Sequence, residues 1–481
     1  MSQAVARTLV FFTSAAVLVI EILAVRLLAP YLGVSLGVFT GVIGVILAGI
    51  SVGAWLGGRA ADRTDPTRLI GPMLIAGGLT AMLSPLIVDL IGPSLSNDAV
   101  SIVIIATAGF FAPAAILSTI PPLVVKIRLS SLEETGAVVG SYSAVGTAGA
   151  ILGTFLTGFF LVAAFPTRPV VTVVGGLLVG AGLILWSTRS RGWALTASIL
   201  VVGVGAALLL NPGPCQVETT YHCAIVEPDL DPPTGRTLVL DRLHNSYVDI
   251  ADPTYLRFRY IELMADIIAN GAPEGPIGIV SIGGGGMTLP GYIEATRPGS
   301  TNTVLEIDGG VVEIARTELA LNDRIDVLVD DARISLRSVP DGSAHIIIGD
   351  AFSGASVPWH LTTIEYVGDI KRVLTDSGIY AMNVIDFGTL QFVRATAATL
   401  VAEFDHVVVF APPGYFEGGT GGNYVFAASS QPIDVAGIES AIAARGGSEI
   451  GIDGTRLHDF IGDAMILRDD FAPVDQMLGS R

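Results

Sequence analysis

The sequence predicts a polytopic α-helical membrane domain followed by a doubly wound α/β domain. Three observations predict it. Of 481 residues, 51% are hydrophobic and only 15% charged, with mean hydropathy +0.65. That balance excludes both an ordinary soluble protein and a disordered one. Charge is also divided: residues 1–210 hold 7 acidic and 10 basic side chains, residues 211–481 hold 37 and 16, and all six histidines follow residue 211. Finally, long apolar stretches recur in the first part, whereas short apolar runs alternate with helical patterns in the second. The expected boundaries are a membrane domain at 1–210, a cysteine-containing linker at 211–236 and the α/β domain at 237–481. So acidic a second half argues against nucleic acid as a partner, because phosphate binding needs clustered Lys and Arg.

Stretches of about 20 apolar residues, enough to cross a bilayer, fall at 8–29, 36–58, 69–92, 99–125, 136–165, 168–187 and 193–210, which makes seven expected spans. The first carries Glu21 and Arg26 at its inner end and is followed by more spans, so it is not read as a cleaved signal peptide. Gly49, Gly53 and Gly57 stand four apart, as do Gly149 and Gly153, so each set lines one helical face and lets a neighbouring helix approach. Arg7, Arg59, Arg63, Arg68, Lys126, Arg128, Arg189 and Arg191 lie on the side shared with the N-terminus. Positive residues stay inside. The expectation is therefore an integral, multi-pass plasma-membrane protein, in contact with the lipid bilayer, with a cytoplasmic N-terminus. Seven spans would put the acidic domain outside.

Cys215 and Cys223 follow the last expected span. With only His222 between them they form an incomplete ligand set, and no metal is expected. Two readings stay open, a disulfide closing a small loop, which fits an extracytoplasmic location, and two unpaired thiols.

From Thr237 the pattern changes. A hairpin is expected over Thr237–Leu240 and Tyr247–Ile250, then a helix near Pro253–Ala269. Strands follow at Ile277–Ile282, Thr303–Ile307, Asp326–Val329, His345–Ile348, Ile379–Val384 and His406–Phe410. Continuous apolar runs separated by helices read as a parallel sheet covered on both faces. Ligands bind such sheets at the carboxyl ends of the strands. There the sequence places Gly283–Gly286 after the first strand, Glu306 and Asp308 after the second, Asp330 and Asp331 after the third and Asp350 after the fourth. One such acid could be a helix cap. Four consecutive strand ends carrying glycines or carboxylates point to a ligand.

The motifs LVLD at 238–241, YIELMAD at 260–266, SIGGGG at 281–286, LEID at 305–308, DDAR at 330–333 and IIIGDAFSG at 346–354 resemble those of spermidine synthases, aminopropyltransferases of the class I methyltransferase-like fold. The whole chain resembles the membrane-fused spermidine synthase-like proteins. The resemblance implies that Gly283, Gly284 and Gly285 form the turn beside a nucleoside's sulfonium tail, that Glu306 binds the ribose hydroxyls, and that Asp331 and Ala332 hold the adenine. It implies that Asp350 deprotonates the attacking amine, and it puts Asn245, Tyr260 and Ser353 on the acceptor side. Four positions depart from the family pattern: Gly286 replaces an Asp, Ile261 a His, Asn245 a Gln, and Ser353 the acid that holds the far amine of putrescine. The implied co-substrate is decarboxylated S-adenosylmethionine, used with an amine acceptor in polyamine biosynthesis. The altered acceptor side keeps open a methyltransferase-like enzyme using S-adenosylmethionine on an envelope or lipid-linked acceptor, and a non-catalytic protein with a relic nucleoside pocket. Self-association into a homo-oligomer is also open.

Overall fold

The computed structural model describes every residue except 97, 130, 132, 188–202, 204, 206–212, 419 and 479–481. The chain divides into two units, Met1–Ile225 with Leu240–Arg242, and Val226–Val239 with Leu243–Arg481.

Among the described residues, six helices of the first unit are long and apolar enough to cross a membrane: α1 (Gln3–Leu32), α2 (Leu36–Arg63), α3 (Pro66–Ser94), α4 (Ala99–Arg128), α5 (Thr135–Ala164) and α6 (Thr167–Trp186). They make this a multi-pass membrane protein. The seventh expected span, 193–210, lies outside the described residues apart from Gly203 and Gly205. Small residues set the packing. A Cβ on Gly49 of α2 would lie 3.0 Å from the Phe111 carbonyl of α4, and one on Gly153 of α5 would lie 2.6 Å from the Ala15 carbonyl of α1. Glycine there lets backbones touch where lipid offers no hydrophobic drive for association. Where α1 ends, Arg26 does not meet Glu21 but pairs with Glu218 at 3.1 Å, and Arg168 of α6 pairs with Asp89 of α3. The segment 211–236, expected to be a linker, contains two strands, β1 (Val217–Glu218) and β2 (Cys223–Pro228). Cys215 and Cys223 are joined as a disulfide, their Cα atoms 5.2 Å apart.

The hairpin is tighter than expected. Strands β3 (Gly235–Leu240) and β4 (Leu243–Asp249) leave only Asp241 and Arg242 between them, with Asp241 at φ 57°. Helix α7 runs over Arg259–Gly271 and starts later than Pro253. The reason is local: Asp249 accepts from the Ala251 and Asp252 amides and Asp252 from the Thr254 amide, and such turns compete with helix.

The second unit is built on a sheet of eight strands. These are β5 (Gly278–Ile282), β6 (Thr301–Glu306), β7 (Asp326–Val329), β8 (Ala344–Gly349), β9 (Leu374–Asp386), β10 (His406–Ala411), β11 (Gly422–Ser429) and β12 (Ile450–Ile452). Their order is β12-β10-β11-β9-β8-β5-β6-β7. The five strands from β9 to β7 in that order are parallel. Beyond β9 the sheet is antiparallel, with β11 against β9 and β10, and β12 against β10. The sheet is therefore mixed, not wholly parallel as expected, and β11 and β12 were not anticipated. Residues 412–421 between β10 and β11 are too few for the crossover that a parallel neighbour needs.

Helices cover both faces, as a doubly wound fold requires. On one face Ile261, Met264 and Ile268 of α7, Ile293 of α8 (Thr288–Thr296), and Ile438 and Ile442 pack over Ile279, Ile346 and Ile348. On the other, Leu336, Ile370, Phe392 and Leu400 pack over Val280, Ile282 and Ile347. Neighbouring β5 residues enter opposite cores because strand side chains alternate. After β5 the chain moves outward through β6 and β7, then returns to place β8 on the other side of β5. That reversal between β5 and β8 is the switch point at which doubly wound sheets bind ligands.

Candidate active site

Register brings the marked residues together. Ile282 pairs with Leu305 and with Gly349, and Glu306 pairs with Val329, so Gly283, Glu306, Asp330 and Asp350 all fall at one edge. Gly283 has φ +85°, and a Cβ there would lie 2.6 Å from the Asp350 carbonyl and 2.9 Å from the Ala351 Cα. Only glycine lets the end of β5 lie so close to the end of β8.

Glu306 is buried and ties the turn down. Its Oε2 accepts from the Gly284 amide at 2.8 Å and the Gly285 amide at 3.2 Å, and its Oε1 from the Asp308 amide at 2.9 Å. A carboxylate has about four lone-pair directions, so about one remains for a ligand hydroxyl. Asp308 caps the next helix, Gly309–Glu318, by accepting from the Gly310 amide.

At the end of β7, Asp331 caps the short helix Ala332–Ser335 through the Arg333 amide at 2.8 Å, and its other oxygen lies 3.0 Å from His360 Nε2. Ala332 is buried beside it. Asn245 accepts from the Ser246 hydroxyl at 2.8 Å, and Ser246 Oγ accepts from the Gly286 amide at 2.9 Å. A Cβ on Gly286 would stand 2.7 Å from the Ser246 Cβ, so Ser246 occupies the room that a side chain at position 286 would need. Ser353 is exposed, and its backbone bridges to Ser356.

Asp350 stands half-buried at the end of β8. Asn383 Nδ2 donates to its Oδ1 at 3.0 Å, and the Tyr260 hydroxyl donates to its Oδ2 at 3.4 Å. Asn383 is itself held by Asn423 Nδ2 at 2.9 Å. Burial pushes the Asp350 carboxyl up to about 6, while the bonds from Asn383 and Tyr260 pull it down. Burial and the neighbouring Asp350 charge also push the Tyr260 hydroxyl well above its ordinary range. Ser246, Tyr260, Gly283, Gly284, Thr288 and Asp350 border one small cavity. A carboxyl poised near 6 in such a place is equipped to accept a proton at neutral pH.

The structure thus clusters Asn245, Tyr260, Gly283, Gly284, Gly285, Glu306 and Asp350, and places Asp331 and Ala332 further along the same edge. Sequence alone did not mark Ser246, His360, Asn383 or Asn423. Asn383 left a trace, a single amide inside the apolar run Ile379–Ile385. Among the described residues no group of three or more His, Cys, Asp or Glu is arranged to hold a metal ion.

Fold and site define a mixed α/β domain of the kind found in a probable spermidine synthase structure. No family model matches the chain. The polyamine aminopropyltransferase of Vibrio vulnificus is 29% identical over 161 residues, which span 32% of this chain and 52% of that one. The N-terminal histidine N-methyltransferase of Emericella nidulans is 29% identical over 141 residues, spanning 28% and 25%. The chain thus spans about half the length of the first relative and a quarter of the second. A crystal structure of a probable spermidine synthase from Corynebacterium glutamicum superposes with TM-score 0.50 and 25% identity, covering 54% of this chain and 97% of that one. The C-terminal half is a spermidine synthase-like, polyamine aminopropyltransferase-type domain, and six long apolar helices precede it. Its homology to aminopropyltransferases and methyltransferases is distant.

Proposed function

We propose that this protein is a membrane-anchored transferase that binds an adenosyl sulfonium nucleoside, decarboxylated S-adenosylmethionine, and passes its aminopropyl group to an amine. The observation that carries this reading is Asp350, a half-buried carboxyl that desolvation pushes up to about 6 and that Asn383 and Tyr260 aim at the switch point beside the glycine turn. The residues fit the nucleoside: Gly283 lets the glycine turn lie against the end of β8 beside Asp350, and Glu306 keeps about one acceptor direction for a ribose hydroxyl. When bound, the sulfonium supplies an electrophilic carbon and a neutral thioether leaving group. Asp350 takes the proton that the amine nitrogen releases as the nitrogen–carbon bond forms and the carbon–sulfur bond breaks, its electron pair going to sulfur. Asn383 and Tyr260 hold that carboxylate still, so orientation as well as basicity lowers the barrier.

A second reading, methyl transfer from S-adenosylmethionine, is favoured by Gly286 packed against Ser246 and by Ser353, which leave the site without the two further carboxylates of the family pattern. Product analysis on the purified full-length protein separates the two. Aminopropyl transfer to putrescine releases methylthioadenosine, and methyl transfer releases S-adenosylhomocysteine. Binding of neither nucleoside would defeat both. We further place the N-terminus in the cytoplasm and the C-terminal domain outside. The basic loops and the Cys215–Cys223 disulfide support that orientation.

A further inference from the structure

The helical unit holds a cavity that the transfer reaction does not use. It measures about 680 Å³, within the range of about 300–1,000 Å³ usual for small-molecule sites. Helices α1, α2, α4 and α5 line it. On α1 the lining runs from Val10 to Leu18, and on α2 from Ile50 to Asp62. At about 1.5 Å per residue these stretches are about 12 Å and about 18 Å long. The hydrocarbon core of a bilayer is about 30 Å thick, so the cavity is as deep as one leaflet. Its mouth lies at the end of the bundle where α1 begins and α2 ends.

The chemistry of the wall changes with depth. At the mouth, Lys126 Nζ of α4 donates to Asp62 Oδ1 of α2 at 2.7 Å, and the two side chains are 48% and 69% exposed. So exposed a pair contributes little, and a ligand can displace it at small cost. About one turn further in stand Ser14, Tyr142 and Ser143. Tyr142 is 5% exposed, and its hydroxyl has no hydrogen-bond partner among the described residues. Deeper still, Val17, Leu18, Ile50 and Leu117 make the wall chiefly apolar.

Charges, then hydroxyls, then hydrocarbon is the order of a phospholipid's head group, ester carbonyls and acyl chain. The head can be narrowed further. Among the described lining residues Asp62 is the only carboxylate and Lys126 the only ammonium. An anionic head would meet Lys126 but be repelled by Asp62, and a polyamine would find no carboxylate for its second charge. A zwitterionic head pairs both, with its phosphate on Lys126 and its ammonium on Asp62. A primary ammonium also donates hydrogen bonds to that carboxylate, which a quaternary one cannot. Below the head, ester carbonyls can accept from hydroxyls such as that of Tyr142.

We infer that this cavity binds one zwitterionic phospholipid with a primary ammonium head, one acyl chain of which lies between α1, α2, α4 and α5. The site is independent of which group the α/β domain transfers.

The test uses the full-length protein in liposomes with phosphatidylethanolamine carrying a diazirine on one acyl chain. Photolabelling should saturate at one lipid per chain, in the peptides holding Val10–Leu18 and Val139–Ala150. Unlabelled phosphatidylethanolamine should compete at least 10-fold better than phosphatidylglycerol, and spermidine should not compete. A Cβ on Gly58, which lines the cavity, meets nothing within 4 Å, so Gly58→Phe fills the space and should cut this labelling at least 10-fold. Asp62→Asn, at an exposed position, should let phosphatidylglycerol compete as well as phosphatidylethanolamine. Labelling spread evenly over the lipid-facing helices and unchanged in Gly58→Phe would show annular lipid only and overturn the site. Competition by spermidine would assign the cavity to a polycation, and an unlabelled cavity in chains that cross-link through α2 and α5 would assign it to a second copy; either result overturns the phospholipid.

Discussion

Replacing Asp350 by Asn separates chemistry from folding, because the two should move in opposite directions. The amide keeps the shape: its oxygen can accept from Asn383, and its nitrogen can donate to the Tyr260 oxygen. What is lost is the base. Transfer should fall about 10²–10⁴-fold, and the wild-type rise in rate as pH climbs through about 6 should vanish from the variant's profile. Stability should go the other way. Between an ordinary carboxyl value of 3.8 and about 6, the folded protein holds a proton that the unfolded chain has released, so stability falls as pH rises through that window. Below it there is no loss; above it the loss is complete, about 3 kcal/mol for a shift of this size. The Asp350→Asn variant has no carboxyl to ionise there and escapes that loss. Thermal unfolding of the detergent-solubilised chain should show the variant equal to wild type near pH 4 and more stable at pH 8. Wild-type transfer in the variant would refute the base. Equal stability at pH 8 would refute the desolvated, destabilised carboxylate.

Glu306→Gln should weaken binding of S-adenosylmethionine at least 10-fold by calorimetry, because it replaces charge-assisted bonds worth about 1.5–3 kcal/mol each and loosens the amides of Gly284 and Gly285; an unchanged Kd would remove Glu306 from the nucleoside site. Ser353→Asp should improve use of putrescine relative to propylamine, since a distant ammonium gains a partner, and no gain would favour the methyl-transfer reading. Mass spectrometry of protein isolated without reductant should find Cys215 and Cys223 bridged, a link worth about 2–3 kcal/mol by chain entropy; two free thiols in fresh membranes would remove its support for an outward domain. A single cysteine at position 481, in a chain lacking Cys215 and Cys223, should react with an impermeant thiol reagent from outside intact cells, and protection there would place the domain inside.

What the sequence determined alone was the part that is periodic or local. Apolar length marked the six spans because a bilayer demands about 20 residues each. Glycines four apart marked Gly49–Gly57 and Gly149–Gly153 as helix contacts because that spacing repeats one face. Gly283, Glu306, Asp331 and Asp350 were legible because each follows an apolar strand, and strand ends are where such sheets bind. Tertiary structure decided what depends on partners distant in the chain. No local signal told that β9 would meet β11 antiparallel, since a helix and β10 separate the two strands in the chain. Nor could one tell that Ser246 would fill the room beside Gly286, that Asn423 would hold Asn383 against Asp350, or that Glu306 would spend most of its acceptor capacity on Gly284, Gly285 and Asp308. The raised pKa of Asp350 belongs to this second kind. Its residue type sets a value near 3.8, and only burial by elements far apart in sequence lifts it.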